Sequence, residues 1–195
     1  GFVAIVGRPN TGKSTLVNAM VGKKIVIASK HPNTTRNPIR GIISTEEFQL
    51  ILVDTPGHHK PKTLLGNRLN SMVVENVEQV DAAVLCLPAD EELGTGDEFI
   101  AKELLSKKSL FIAITKVDKV SAEKLMAKLV EVGEFANRLN LKVVEIVPLS
   151  AQKMNQIELF TELISRHLPE SPALYPKDLS TDQAVELTIA ELIRE

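Results

Sequence analysis

Phe2-Val3-Ala4-Ile5-Val6, followed at once by Gly7-Arg8-Pro9-Asn10-Thr11-Gly12-Lys13-Ser14, decides how the rest of the chain is read. Five apolar residues, two of them valine and one isoleucine, predict a buried strand. The next eight fit Gly-x4-Gly-Lys-Ser, and the apolar spacing of Thr15 to Val21 predicts a helix directly after them. Strand, glycine loop and helix in that order form a cradle for phosphate groups. The glycines permit backbone conformations that turn successive N–H groups inward beside a helix N-terminus. The expected phosphate contacts are therefore Asn10, Thr11, Gly12 and Lys13, with Ser14 and Thr15 where the helix begins. Lys13 supplies a point charge toward the β and γ phosphates of a nucleoside triphosphate. Ser14 supplies a hydroxyl to Mg²⁺.

Working outward, four more short apolar runs predict interior strands: Gln49 to Val53, Ala82 to Leu87, Leu110 to Ile114 and Val143 to Val147. Between them lie three helical patterns with three-and-four spacing: Leu65, Leu69, Met72 and Val73; Leu125, Leu129, Val132 and Ala136; Ile157, Phe160 and Ile164. Alternating strands and helices predict a mostly parallel sheet covered on both faces. Residues 39–45 and 48–53 are too close for a helical crossover, so they predict a hairpin at the sheet edge. The expected fold is an α/β P-loop NTPase: three layers, six strands, one of them an antiparallel edge strand.

Three prolines within Leu168 to Pro176 predict a linker, and Ser180 stands three residues before Gln183 as a capping box for a helix that runs on toward Glu195. The expected division is a nucleotide-binding domain over 1–167, a linker over 168–180 and the opening helix of a second domain over 181–195. Beginning at Gly1, without Met, the chain reads as a piece of a longer one.

Of the 195 residues, 44% are hydrophobic and 25% charged, the balance of an ordinary globular protein. No apolar run approaches the roughly 18 residues of a membrane span. One cysteine, Cys86, excludes an intramolecular disulfide, and four histidines without ligand spacing argue against structural zinc. A cytoplasmic location is expected. The net charge of −2 conceals an asymmetry: residues 1–68 hold ten Lys and Arg against three Asp and Glu. The basic segment is the one containing the phosphate loop.

Asp54 ends an apolar run and leads into Thr55-Pro56-Gly57. A carboxylate there is placed to hold the water shell of Mg²⁺, and Gly57 can offer its N–H to a γ-phosphate. Thr115-Lys116-Val117-Asp118 ends another run. Asp118 can accept from the N1–H and 2-amino group of guanine, a donor pair adenine lacks, while the Lys116 stem lies on the base. Pro148-Leu149-Ser150-Ala151 follows the next strand, where small residues let backbone N–H groups reach the guanine oxygen. Order and position, more than any single motif, predict a GTP-binding and GTP-hydrolysing switch. A P-loop kinase is the rival reading, and it gives no reason for Lys-x-Asp at a strand end.

With these motifs the chain resembles the Era family of bacterial GTPases, through GRPNTGKS at 7–14, NTTRN at 33–37, DTPGHHKP at 54–61 and LPESPALYP at 168–176. The resemblance implies a role in assembly of the small ribosomal subunit, contact with small-subunit ribosomal RNA through an RNA-binding KH module after the linker, peripheral membrane association and a monomeric state. Residues 1–195 alone are then expected to bind RNA weakly, since seven aromatic residues provide no stacking platform. It also implies that Thr35, with Thr34 as the alternative, contacts Mg²⁺ and reports the γ-phosphate. Asn10 resembles the asparagine through which some such GTPases hold K⁺. Two positions depart from the pattern. Thr115 replaces the usual Asn, removing an amide that braces the base and the phosphate loop, so lower affinity is expected. His58 replaces an apolar residue, and two readings stay open: the imidazole positions the attacking water, or it faces solvent like His59.

Overall fold

A computed structural model describes residues 1–26, 39–54, 80–106 and 109–181. The helical pattern at Leu65 to Val73, the helix expected after residue 181, and Thr34, Thr35, Gly57 and His58 lie outside the described residues.

Six strands form one sheet: β1 (Phe2–Val6), β2 (Ile39–Ser44), β3 (Gln49–Asp54), β4 (Ala82–Pro88), β5 (Leu110–Thr115) and β6 (Val143–Pro148), in the order β2-β3-β1-β4-β5-β6. All neighbours are parallel except β2 and β3, which pair antiparallel from Ile39 opposite Asp54 to Ser44 opposite Gln49. The expected hairpin is thus present at the expected edge. Thr45 closes it, its backbone N–H donating to Phe48 O and its hydroxyl accepting from the Glu47 and Phe48 N–H groups.

The helices are α1 (Lys13–Val21), α2 (Thr95–Glu103), α3 (Ala122–Arg138) and α4 (Ile157–Ser165) among the described residues. Alternation along β1 explains the layering. Val3 and Ile5 point to the face covered by Leu16 and Val17 of α1 and by Phe160 and Ile164 of α4. Ala4 and Val6 point to the face covered by Ile100 of α2, by Leu104 just after it, and by Val132 and Phe135 of α3. Every residue of β4 is buried, which is why it reads as a continuous apolar run. Phe111 meets Phe160 edge to face, with ring centres 6.3 Å apart, and fixes α4 across β5.

Helix α2 is absent from the sequence reading. The Asp97 carboxylate accepts from the Gly94 N–H at 2.9 Å and starts the helix there. Residues 168–180, after α4, form no helix or strand of their own, but they are tied to the hairpin. Gln49 accepts from the N–H groups of Leu174 and Tyr175 and donates to the Tyr175 oxygen. Ser180 O accepts from Ile42 N–H at 2.9 Å, and Thr181 bridges to Gly41.

Strand order reverses at β1: the chain goes from β1 toward β2 and β3 on one side and then to β4 on the other. Ligands in open α/β sheets bind outside the carboxyl ends of strands at such a point.

Candidate functional site: a nucleotide cradle at the strand ends

The phosphate loop occupies that position. Gly7 has φ +153°, and a Cβ on it would lie 2.8 Å from both Cys86 O and Thr11 Oγ1, so the loop can pass over β4 only with glycine there. Gly12, at φ +92°, turns the chain into α1. Asn10 stands exposed with φ +64°, a left-handed conformation that asparagine tolerates. Thr11 is buried, and its hydroxyl donates to Arg8 O at 3.0 Å.

Lys13 is almost wholly buried and donates from Nζ to Gly7 O at 3.1 Å and to Arg8 O at 2.8 Å. Burial lowers its pKa, an effect opposed by the nearby Asp54 charge. The Ser14 hydroxyl donates to Asp54 Oδ2 at 2.9 Å, and Asp54 is buried at the end of β3 beside Ile5 of β1. A hydroxyl and a carboxylate side by side are hard oxygen donors and suit Mg²⁺, which is normally held by one or two side chains together with phosphate oxygens. Thr15 is exposed on the first turn of α1.

The second half of the site lies at the ends of β5 and β6. Lys116 has φ +59° and turns the chain into a 3-10 segment, Val117–Lys119, that carries Asp118. The Ser150 hydroxyl donates to Asp118 Oδ1 and accepts from Lys153 N–H at 3.1 Å, so the carboxylate is oriented by a buried serine. Ser150 thus has a side-chain partner in Asp118 as well as a backbone N–H. Its own N–H donates to Asn155 O at 3.2 Å, and the Leu149 N–H donates to Ile114 O at 2.8 Å.

Thr115 joins the halves. Its hydroxyl donates to Thr11 O at 2.6 Å in a buried bond. The sequence reading counts the missing Asn amide as a lost brace, yet on the phosphate-loop side the threonine hydroxyl provides one.

Several contributing residues were not singled out by sequence reasoning. Arg8 donates from Nε to the buried Asp97 at 2.8 Å and from Nη2 to Glu91 at 3.3 Å. Asn18 of α1 accepts from the N–H groups of Ile25 and Val26 and donates to Val26 O, fixing the chain just before residues 27–38. Lys128, buried on α3, donates to Glu91 O at 2.7 Å. The Arg8 and Lys128 pairs join residues tens of positions apart, and only the excess of Asp and Glu around 90–98 hints at them.

Residues 2–116 match the profile of a family described as 50S ribosome-binding GTPases. The chain belongs to that GTPase family. Its whole length is also 49% identical to the GTPase Era of Mycobacterium tuberculosis, over 199 aligned positions that make up 65% of that protein. The GTPase Era of Streptomyces coelicolor is likewise 49% identical over 197 positions, 62% of its length. Among solved structures, Era in complex with MgGDPNP and nucleotides 1506–1542 of 16S ribosomal RNA superposes with a TM-score of 0.91 at 34% identity, covering 100% of this chain and 65% of that one. The Era resemblance read from the sequence is borne out, and the chain spans somewhat under two thirds of these relatives' length.

Proposed function

We propose that this chain binds GTP and GDP with Mg²⁺ and hydrolyses GTP, as the nucleotide-dependent switch of an Era-type protein acting in small-subunit ribosome assembly. One observation carries the reading: Lys13, Ser14 and Asp54 on one side, and Asp118 with Ser150 on the other, converge on one end of the sheet and are joined there by the Thr115 to Thr11 bond. The first group suits a polyphosphate and its metal. The second suits a base that donates two hydrogens. The likeness to Era, seen with 16S ribosomal RNA, supports a small-subunit partner over the large subunit in the family description, because it spans the whole chain while the family profile ends at residue 116.

In this reading Lys13 leaves the carbonyls of Gly7 and Arg8 to meet the phosphates, and loop N–H groups surround them. Mg²⁺, held by Ser14 and through water by Asp54, with Thr35 added from the 27–38 segment, would neutralise charge building on the β and γ oxygens. Gly57 offers its N–H to the γ-phosphate. Attack by water breaks the bond between the β–γ bridging oxygen and the γ-phosphorus and yields GDP and inorganic phosphate. Arg8 is held by Asp97 and Glu91 and is not positioned as a charge-stabilising arginine.

Single-turnover hydrolysis tests the proposal. With Mg²⁺ the parent should convert GTP to GDP at an unassisted rate on the order of 10⁻⁴ to 10⁻² per second, and Lys13→Ala should abolish turnover. Absence of GDP after many hours with the parent would defeat it. His58→Ala in the same assay decides between the two readings of that histidine: a loss of about tenfold at unchanged affinity assigns it to water positioning, and equal rates assign it to the surface.

A further inference from the structure

The loop between β4 and α2 contacts both halves of the site, and Glu91 is where those contacts meet. Its Oε1 lies 3.1 Å from Lys116 Nζ and its Oε2 lies 3.3 Å from Arg8 Nη2. One carboxylate thus bridges the phosphate loop and the Lys-x-Asp segment. The loop is held from behind: Lys128 Nζ donates to Glu91 O at 2.7 Å and pairs with Glu131 at 2.9 Å, and Glu131 accepts from Leu93 N–H at 3.3 Å. Arg8 is fixed a second time by the fully buried Asp97 at 2.8 Å. Asp90 lies 3.5 Å from Lys116 and 3.0 Å from Lys119.

We propose that Glu91 is a positioning residue for nucleotide binding: it orders the Lys116 side chain as a shelf for the base and ties that order to Arg8 of the phosphate loop before nucleotide arrives. The inference rests on the guanine-nucleotide reading above. A free lysine is among the side chains with most rotamer freedom, and ordering it on binding weakens affinity. Here the ammonium is anchored at its tip, and the left-handed backbone at Lys116 directs its root, so the aliphatic stem between them is confined. Exposed ion pairs contribute little to folding stability. Glu91 is more than one-third exposed and Lys116 about one-fifth, so the effect should fall on nucleotide residence and leave stability nearly unchanged.

A double-mutant cycle on release of fluorescently labelled GDP tests this, using the parent, Glu91→Gln, Lys116→Ala and the combined variant, with thermal melting of each nucleotide-free protein alongside. Glu91→Gln should speed release about tenfold in the parent background and less than about twofold in the Lys116→Ala background. Its melting midpoint should stay within roughly 2 °C of the parent. Equal acceleration in both backgrounds, or none in the parent background, overturns the bridge while leaving guanine-nucleotide binding intact. A parent that binds no GDP overturns both readings together.

Discussion

Thr115 donates its hydroxyl to the backbone oxygen of Thr11 across 2.6 Å, linking the end of β5 to the phosphate loop. Both residues are buried. Thr115→Val keeps the shape and removes the donor, leaving a buried carbonyl short of a partner at a cost of about 1–3 kcal/mol. For a chain of this size the melting midpoint should fall by roughly 2–4 °C per kcal/mol, and GDP should leave faster. Thr115→Ser, which retains the hydroxyl, should stay nearer the parent on both measures. Identical melting and release for parent and Thr115→Val would mean the bond does not brace the loop.

Asp118 is expected to read the base. Asp118→Asn should weaken GTP and improve binding of xanthine nucleotides, because an amide can donate to the xanthine oxygen. Ser150→Ala, which removes the hydroxyl that orients Asp118, should weaken GTP by about tenfold and keep the preference for guanine over adenine. Titrations with GTP, ATP and XTP check both, and a Ser150→Ala protein that lost base preference would refute the division of labour.

Much of the fold is legible because its strands are buried on both faces, so β1, β3, β4 and β5 appear as apolar runs bounded by turn residues. Helix α2 is not legible: its start is set by Asp97 reaching back to a glycine, and two glycines hide the apolar spacing of Ile100 and Leu104. Within the candidate site, local motifs single out Lys13, Ser14, Asp54 and Asp118. What they omit is long-range: Arg8 with Asp97, Lys116 with Glu91 and Lys128 with Glu91 are pairs that only the folded chain brings together. Ser150 shows a subtler limit. Its small size suggests a backbone role, and in the fold its hydroxyl also meets the Asp118 carboxylate.

Asn10 is the residue expected to admit a monovalent cation, and its left-handed backbone complicates the obvious test. Asn10→Ala adds about 1–2 kcal/mol of backbone strain on its own, so Asn10→Gly, which accepts that conformation, is the cleaner variant. If a cation acts beside the phosphates, the parent should hydrolyse GTP faster in K⁺ than in Na⁺, and both variants should lose the difference. Equal rates of the parent in the two salts would dismiss the cation.

Cys86 lies beneath the phosphate loop, fully buried on β4, and burial pushes its thiol up to about 12, with Lys13 pulling the other way. The reactive form is the thiolate. At pH 8 the native protein should therefore resist a thiol-specific reagent and become labelled only once denaturant unfolds it. Rapid stoichiometric labelling of the native protein would show that β4 opens far more readily than its packing implies.

In the proposed function, one end of this sheet takes a guanine nucleotide, with phosphate contacts from the 10–15 segment and base contacts from the ends of β5 and β6. Equilibrium binding of GTP, GDP and ATP to the purified chain in the presence of Mg²⁺ tests it most directly. GTP and GDP should bind at least about a hundredfold more tightly than ATP, a difference of roughly 2.7 kcal/mol. Equal affinity for GTP and ATP would contradict it.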